Sequence, residues 1–566
     1  MDGRVGRPVG RRAFVGGSVA AAAAVVLGGG TNALAASASR SARALTGPVR
    51  IETGLVSGVS AALPSVTVFK GIPFAASTAG KNRWRPPQPA ESWTGVRTAD
   101  TFGDICPQNA FTGYPTSSSS SSASSSTAAA AALPSMSEDC LNLNVWTAAA
   151  SSHERRPVLL WIYGGGFTRG YGSNTQFDGA GLAAKGLVVV TFNYRTGVFG
   201  FLAHPDLSEE SGHGASGNYG LLDQIAALRW IRRNITAFGG DPDRVTVAGQ
   251  SAGAGSVAFL TYSPLAAGLF HRAIAQSGVR SPRDPDIAGL PTSYRTLEYA
   301  ESNGVDYAKD HGATTLKELR ALSVSGLLVG NDVTDPAVVT PMNSYPPPLL
   351  RPVLDGWVVP RTIEEALDRG AHIDIPFLTG NNKDENGASP NPPTTLAKYE
   401  AIVKQQYGDM ADEFLTLYPA TTDAEANTSQ TAAARDIGRT STSLWATEWA
   451  RRAKSPVYTY YWTHTPPGAS GAGHGSEIPY VFGNLYADAD TAWTDQDRQV
   501  ADTMSSYWAN FAATGNPNGR GIPHWAASVP GEMTTMRVGD DWGRVKDADT
   551  ANLDFFRRFY AAQQAW

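Results

Sequence analysis

Short runs of apolar residues, separated by a helical pattern, constrain the fold of this chain more than any other feature. Residues 158–163 and 187–192 are nearly all apolar and rich in Val and Leu, which is typical of strands buried on both faces of a parallel sheet. Between Tyr219 and Phe238, apolar residues recur at steps of three and four, as in a helix with one face on a sheet. Residues 245–248 follow as another strand. This alternation predicts an α/β fold with a central, mostly parallel sheet flanked by helices.

The same alternation continues toward the C-terminus. Residues 374–379 and 456–462 are predicted as later strands, and residues 498–513 and 553–564 as closing helices. We find no obvious interdomain linker and no internal repeat along this stretch. The sequence therefore predicts a single domain over residues 48–566.

Composition excludes several classes of protein. The 566 residues include 46 Lys+Arg and 51 Asp+Glu, a net charge of -5, which argues against a nucleic-acid partner. Aromatic residues make up 10% of the chain and charged residues 17%, so a large core is expected and disorder of the whole chain is excluded. Two cysteines are too few for a cysteine-rich zinc site, and the histidines lack metal-ligand spacing. No metal and no cofactor are predicted.

The first 35 residues are typical of an export signal. Arg11 and Arg12 are adjacent, an Ala/Gly-rich apolar run follows over residues 13–27, and residues 33–35 offer a small-x-small cleavage site. The arginine pair resembles the twin-arginine signal of bacteria, and the alternative is an ordinary Sec signal. We expect residues 1–35 to be removed, residues 36–47 to form a flexible spacer, and the protein to be secreted. No later apolar run is long enough for a membrane anchor.

Export to an oxidising space bears on the two cysteines. Cys106 and Cys140 lie 34 positions apart, and a disulfide between them would stabilise the fold by about 3–4 kcal/mol. The alternative is two buried free thiols. Between them, residues 116–132 contain only Ser, Thr and Ala. Such a segment cannot bury enough apolar surface to order itself, so a mobile loop is expected there.

A candidate nucleophile follows the strand at residues 245–248. Residues 249–253 read Gly-Gln-Ser-Ala-Gly and fit G-x-S-x-G, in which a serine occupies a tight strand-to-helix turn. A chance match is common, but the predicted strand before Ser251 and the predicted helix after it supply the context that the motif requires. The alternative is a glycine-rich turn with an incidental serine. A reacting serine also needs a base and N–H donors for the oxyanion, and the Gly-Gly-Gly-Phe run at residues 164–167 offers such donors after a strand.

Five stretches follow one another in a distinctive order: residues 69–75 (FKGIPFA), 83–87 (RWRPP), 138–146 (EDCLNLNVW), 164–167 (GGGF) and 249–253 (GQSAG). In this order they resemble the motifs of the type-B carboxylesterases, the family of cholinesterases and bacterial para-nitrobenzyl esterases. The resemblance extends from about Val49 to Tyr560. It implies the α/β-hydrolase fold and a serine esterase acting on small-molecule esters.

The resemblance also assigns the remaining catalytic residues. Family motifs match residues 382–385 and 473–477, which point to Glu385 as the acid and His474 as the base. The order serine, acid, histidine is the one that an α/β-hydrolase sheet requires. Asp384 is an alternative acid, and His153, His213 and His464 are alternative bases.

The implied mechanism is that of a serine hydrolase with an acyl-enzyme intermediate. His474 would take the proton of Ser251, Glu385 would hold and stabilise the imidazole, and the amides of Gly165, Gly166 and Ala252 would bind the oxyanion. The same residues would serve an amidase, a carbamate hydrolase or a lactonase. A non-catalytic, cholinesterase-like binding module is disfavoured because serine, acid and histidine are all present.

Two departures from the family bear on the substrate. Gln250 precedes the nucleophile where the family commonly has Glu, so a negative charge beside the serine is missing. Residues 107–139 contain no Trp, whereas in cholinesterases this loop carries a Trp that holds the choline ammonium. The sequence therefore favours neutral acyl or aryl esters over choline esters.

Overall fold

The central sheet of the computed structural model is built from the apolar runs of the sequence. The structure describes residue 45 and residues 47–110, 133–338, 346–385 and 393–566. The predicted export signal at residues 1–35, nearly all of the spacer at 36–47 and the loop at 116–132 lie outside the described residues.

The strands and helices of the described residues alternate along most of the chain. The strands are β1 (Val49–Ile51), β2 (Gly54–Ser57), β3 (Val59–Ser60), β4 (Thr67–Pro73), β5 (Val96–Thr98), β6 (Asn142–Thr147), β7 (Arg156–Ile162), β8 (Val188–Phe192), β9 (Gly240–Gln250), β10 (Arg272–Gln276), β11 (Arg295–Thr296), β12 (Val353–Leu354), β13 (Phe377–Asn382), β14 (Val457–Trp462), β15 (Thr534–Val538) and β16 (Gly543–Lys546). The helices are α1 (Ala180–Ala184), α2 (Gly197–Phe201), α3 (Pro205–Glu210), α4 (Tyr219–Asn234), α5 (Ala252–Tyr262), α6 (Leu297–Asp310), α7 (Leu316–Ala321), α8 (Val324–Leu327), α9 (Ile363–Asp368), α10 (Leu396–Tyr407), α11 (Ala411–Leu417), α12 (Asp423–Ala450), α13 (Ile478–Phe482), α14 (Asp495–Thr514) and α15 (Thr550–Ala561).

The large sheet is parallel at its centre and antiparallel toward its two ends. Its strand order is β16-β15-β14-β13-β10-β9-β7-β8-β6-β4-β3. The strands from β15 to β8 in this order pair in parallel, while β6, β4, β3 and β16 pair antiparallel. Helices α4, α5, α12 and α14 pack against these strands. The predicted mostly parallel sheet flanked by helices is confirmed.

The apolar sequences of strands β7 and β8 explain why these strands lie at the centre of the sheet. All residues of β8, and all residues of β7 after Arg156, are buried. Val158 pairs with Val188 and Leu160 with Val190 across the parallel ladder. A strand covered on both faces is predominantly apolar, and the core of the protein lies on both sides of these strands.

One strand lies three residues later along the chain than the sequence predicts. Residues 374–379 were the predicted strand, but β13 spans Phe377–Asn382. Asp374 instead accepts hydrogen bonds from the amides of Lys454 and Ser455, and Pro376 has no amide to donate to a ladder. At the other end, the polar residues up to Asn382 continue the ladder, and Asn382 pairs with Trp462.

The predicted disulfide is present. Cys106 and Cys140 are joined, with their Cα atoms 5.0 Å apart, and both residues are fully buried. Among the described residues, none of the helices is both long and apolar enough to cross a bilayer.

The parallel strands bring distant parts of the chain to one edge of the sheet. Strands β7, β9, β10, β13 and β14 run in the same direction, so the loops that follow their last residues leave from the same edge. The candidate residues at 164–167, 251, 385 and 474 all lie in these loops. This edge is where a ligand site is expected in an open α/β sheet.

Candidate active site

Ser251 occupies a sharp turn between β9 and α5. Its backbone has φ 60° and ψ -126°, a conformation that residues with a side chain seldom adopt and that costs about 1–3 kcal/mol. The Ser251 amide donates to the carbonyl of Gln276 at 2.9 Å, which fixes the turn to the end of β10. At Gly253 a Cβ atom would lie 2.0 Å from the carbonyl oxygen of Ile162, so only glycine fits. Both flanking strands thus hold the serine at the edge of the sheet.

Glu385 lies three residues beyond β13 and contacts His474. The Nδ1 atom of His474 is 3.6 Å from Oε1 of Glu385. The same carboxylate oxygen accepts hydrogen bonds from the hydroxyl of Ser277 at 2.5 Å and from the amide of Asn382 at 3.0 Å. Burial disfavours the charged form, but His474, Ser277 and Asn382 together hold the pKa of Glu385 below its ordinary value. The acid is therefore ionised at neutral pH.

The other ring nitrogen of His474 faces the residue next to the serine. Its Nε2 atom lies 3.0 Å from Nε2 of Gln250. An amide nitrogen donates, so the imidazole Nε2 accepts and the ring proton sits on Nδ1, toward Glu385. Desolvation favours the neutral ring, but the hydrogen bond and charge of Glu385, helped by the charge of Glu477, raise the pKa of His474. The tautomer with its proton on Nδ1 is the one that a general base at Nε2 needs.

The loop at residues 164–167 lies directly against the nucleophile. A Cβ atom on Gly164 would be 2.9 Å from Cβ of Ser251 and 2.7 Å from the carbonyl oxygen of Gln250. Gly165 and Gly166 have φ values of 106° and 64°. Neither of their amides donates a hydrogen bond to another group in the described part of the chain. Ala252, the first residue of α5, has no intrahelical acceptor for its amide. These three amides are available to an oxyanion.

A buried polar network lies behind His474, and its residues were not predicted from the sequence. The side-chain amide of Asn382 donates to the carbonyl of Gly473 at 2.7 Å and to Glu477 at 2.5 Å. Gln276 donates to the other oxygen of Glu477 at 2.8 Å. Burial raises the pKa of Glu477. Since Gly473 and Glu477 flank His474 in the sequence, the network fixes both sides of the histidine loop.

The sequence carried a partial signal for these residues. Gln276 and Asn382 are the last residues of β10 and β13, and Ser277 follows β10 directly. Polar residues at the carboxyl ends of parallel strands are candidates for a site. Many other strand ends are polar as well, so only the structure separates these residues from the rest.

The alternative acid and two of the alternative bases are engaged elsewhere. Asp384 forms an ion pair with Arg435 at 2.6 Å rather than with His474. The ring nitrogens of His464 lie 2.7 Å from Asp497 and 2.6 Å from Asp540. His213 stacks on the ring of Trp357, with centroids 3.9 Å apart. Among the described residues, no group of three or more His, Cys, Asp or Glu could hold a metal ion.

Known proteins with similar sequences include esterases. Residues 46–556 match the carboxylesterase family. The chain is 38% identical over 492 residues to fumonisin B1 esterase of Sphingopyxis macrogoltabida, covering 84% of this chain and 83% of that protein. It is 34% identical over 475 residues to para-nitrobenzyl esterase of Bacillus subtilis (strain 168), covering 81% of this chain and 88% of that protein.

The fold agrees with solved structures as well. A PNB esterase structure matches with a TM-score of 0.71 and 32% identity, covering 90% of this chain and 99% of the other. A thermophilic PNB esterase matches with the same TM-score and 31% identity. The predicted α/β-hydrolase fold is confirmed.

Proposed function

The chain belongs to the carboxylesterase family and is an ester hydrolase, and we propose that it cleaves neutral acyl or aryl esters with Ser251, Glu385 and His474 as its triad. The observation that carries the proposal is the position of the His474 imidazole, with Nδ1 3.6 Å from Glu385 and Nε2 3.0 Å from the residue that precedes Ser251. These two contacts support the proposal because they put the acid on one side of the imidazole and the neighbour of the serine on the other, as a proton transfer from Ser251 to His474 requires.

The first half of the reaction forms an acyl-enzyme. Nε2 of His474 takes the proton of the Ser251 hydroxyl as its oxygen attacks the ester carbonyl. The amides of Gly165, Gly166 and Ala252 donate hydrogen bonds to the oxyanion that develops. The buried carboxylate of Glu385 stabilises the imidazolium, and His474 then returns the proton to the departing alcohol.

The second half regenerates the enzyme. Water loses a proton to Nε2 of His474 and attacks the acyl-enzyme carbonyl, and the same three amides bind the second oxyanion. Collapse of this intermediate releases the acid and returns the proton to Ser251. Glu385 remains ionised throughout, since its low pKa is maintained by Ser277 and Asn382 as well as by His474.

The preference for neutral esters rests on Gln250. Its side chain lies against the reacting nitrogen of His474 and carries no charge, so a cationic alcohol gains no ion pair at this position. The sequence between the cysteines, residues 107–139, supplies no Trp for a cation–π contact. The names of two relatives, fumonisin B1 esterase and para-nitrobenzyl esterase, also refer to ester cleavage.

Matched substrates test this preference. We expect kcat/KM for 3,3-dimethylbutyl acetate, the uncharged isostere of acetylcholine, to equal or exceed that for acetylcholine. Gln250→Glu should raise the acetylcholine-to-isostere ratio by about tenfold, because a carboxylate near the leaving group attracts the ammonium. Both rates are measured by the release of acetate. A wild-type enzyme that prefers acetylcholine tenfold contradicts the proposal.

We also propose that the protein is exported by the twin-arginine route. The adjacent Arg11 and Arg12 before an apolar run support this route, and the disulfide between Cys106 and Cys140 suits an oxidising compartment. In a bacterial host, the Arg11→Lys/Arg12→Lys double variant should keep the full-length precursor and its esterase activity in the cytoplasm. The Arg4→Lys/Arg7→Lys double variant conserves charge in the same way and should be exported normally. Unchanged export of the first variant points to the Sec route instead.

A further inference from the structure

A buried charge cluster lies behind the loop at residues 164–167, which we call the oxyanion loop. Arg351 and Asp335 are 2% and 1% exposed, and Nη1 of Arg351 is 2.7 Å from Oδ2 of Asp335. A second arginine, Arg295, is equally buried, and burial together with the charge of Arg351 lowers its pKa to about 9. Burying charges costs several kcal/mol per ion. Because such a cluster contributes little to stability, its role depends on the segments of the chain that its hydrogen bonds hold in place.

Arg351 ties together two segments that are distant in sequence. Its Nε atom donates to the hydroxyl of Ser293 at 2.9 Å, and Nη1 donates to the carbonyl of Pro348 at 2.9 Å as well as to Asp335. Asp335 is fixed in turn, since it accepts a hydrogen bond from the hydroxyl of Tyr299 at 2.7 Å. One guanidinium therefore sets the separation between the chain at Ser293 and the chain at Pro348.

Both segments place a proline ring beside the oxyanion loop. A Cβ atom on Gly166 would lie 3.5 Å from Cγ of Pro348 and 3.9 Å from Cβ of Pro291. These are ordinary van der Waals distances for a methyl group, so the two rings bound the space beside Gly166 and leave room for no more than a small side chain. Pro291 is two residues from Ser293, and Pro348 is itself bonded to Arg351.

The second arginine supports the other end of the same loop. Nη2 of Arg295 donates to the carbonyl of Phe201 at 2.8 Å and to the carbonyl of Arg351 at 3.1 Å. The Phe201 ring packs edge-on against Phe167, with centroids 5.2 Å apart. The cluster thus reaches Gly166 through two prolines and Phe167 through one phenylalanine.

We propose that Arg351 is a positioning residue for the oxyanion hole, holding the amide of Gly166 at the place where the oxyanion forms. This inference rests on the proposed role of the Gly165 and Gly166 amides. Gly166 has no side chain with which to anchor itself, so the neighbouring segments limit how far its backbone can move. Donors must lie about 2.7–3.1 Å from the oxyanion, and a misplacement of about 1 Å can lower a rate by 10²-fold.

Arg351→Lys tests the proposal while keeping a positive charge opposite Asp335. An ammonium is a compact point charge and cannot reach Ser293, Pro348 and Asp335 with the geometry of a guanidinium. We expect kcat to fall by about 10–100-fold with KM changed by less than about threefold. Ser293→Ala removes a single hydroxyl from the same link and should lower kcat by about threefold to tenfold. It serves as the second variant if Arg351→Lys does not fold.

Arg83→Lys is the matched control. Arg83 is also buried, forms an ion pair with Glu138, and donates to the carbonyls of Arg320 and Leu322, each at 2.8 Å. These partners belong neither to the oxyanion loop nor to the triad. The control should lose stability to a similar degree as Arg351→Lys, and its kcat per folded molecule should stay within about twofold of the wild type.

Two readouts separate positioning from a structural role. The first is kcat per active site, with sites counted by a fluorophosphonate that labels Ser251. The second is the inhibition constant of a trifluoromethyl ketone, whose adduct with serine carries an oxyanion. We expect Arg351→Lys to be labelled fully while its inhibition constant rises by the same factor as kcat falls.

The outcomes discriminate between the two proposals. Full labelling with kcat per site and the inhibition constant both unchanged overturns the role of Arg351 and leaves the proposed function intact. A wild-type protein that is not labelled at Ser251 overturns the proposed function, and the role of Arg351 with it.

Discussion

Replacing Ser251 with alanine should lower kcat for a p-nitrophenyl ester by about 10⁶-fold, the loss seen when a triad that acts as a unit is broken at its nucleophile. Without the Oγ atom no acyl-enzyme forms, and His474 has no proton to take. Steady-state hydrolysis of p-nitrophenyl acetate and labelling by a fluorophosphonate both measure the effect. The variant should be unlabelled.

Ser263→Ala is the control for this substitution. Ser263 is the C-cap of the helix whose N-cap is Ser251, and its buried hydroxyl forms no hydrogen bond within the described part of the chain. Removing that hydroxyl should therefore leave both kcat and labelling unchanged. If Ser251→Ala keeps a rate within 100-fold of the wild type, the nucleophile has been assigned wrongly.

Glu385→Gln should lower kcat by about 10⁴-fold, which is the effect of neutralising the acid of a serine triad. A glutamine amide cannot stabilise the imidazolium, and its NH₂ group can donate to Nδ1 and so favour the wrong tautomer of His474.

The pH dependence of the residual activity changes as well. In the wild type, desolvation lowers the pKa of His474, but the hydrogen bond and charge of Glu385 outweigh it and raise the pKa above its ordinary value. Below this raised pKa, kcat/KM falls because protonated His474 cannot accept a proton.

Removing the charge of Glu385 lowers the pKa of His474, so the acid limb of the pH–rate profile should move to lower pH in Glu385→Gln. Asp384→Asn is the matched control, because Asp384 is the neighbouring acid but pairs with Arg435. Its kcat should change by no more than a few-fold and its acid limb should stay in place. An acid limb that stays fixed in Glu385→Gln rules out Glu385 as the partner of His474.

The strands of the fold were predictable because their burial leaves a direct trace in the sequence. Strands β7, β8 and β14 are covered on both faces, so each appears as an apolar run at nearly its true position. The bounds of β13 were not predictable. Its last residues, Gly380 to Asn382, are polar or small, and what keeps them in the strand is the ladder with β14, which no local pattern records.

In the candidate site, too, some residues were predictable from the sequence and others were not. The structure brings His474 to Glu385 and to the neighbour of Ser251, in the chain order that the sequence suggested. The supports were not visible beforehand. Asn382 at the end of β13 holds Glu477, which lies in a loop far along the chain, and the proposed role of Arg351 depends on segments that are neither periodic nor close in sequence. Such residues are defined by long-range packing, so their function emerges only once the chain is folded.

The parallel centre of the sheet has a consequence for how activity arises. Ser251 follows β9, Glu385 follows β13 and His474 follows β14, and parallel neighbours pair only after long crossovers have closed. No contiguous piece of the polypeptide shorter than the span from β7 to the histidine loop contains every reacting group. Turnover by these groups therefore requires the whole span from β7 to the histidine loop to be folded, and a nascent chain that ends before this loop lacks the base.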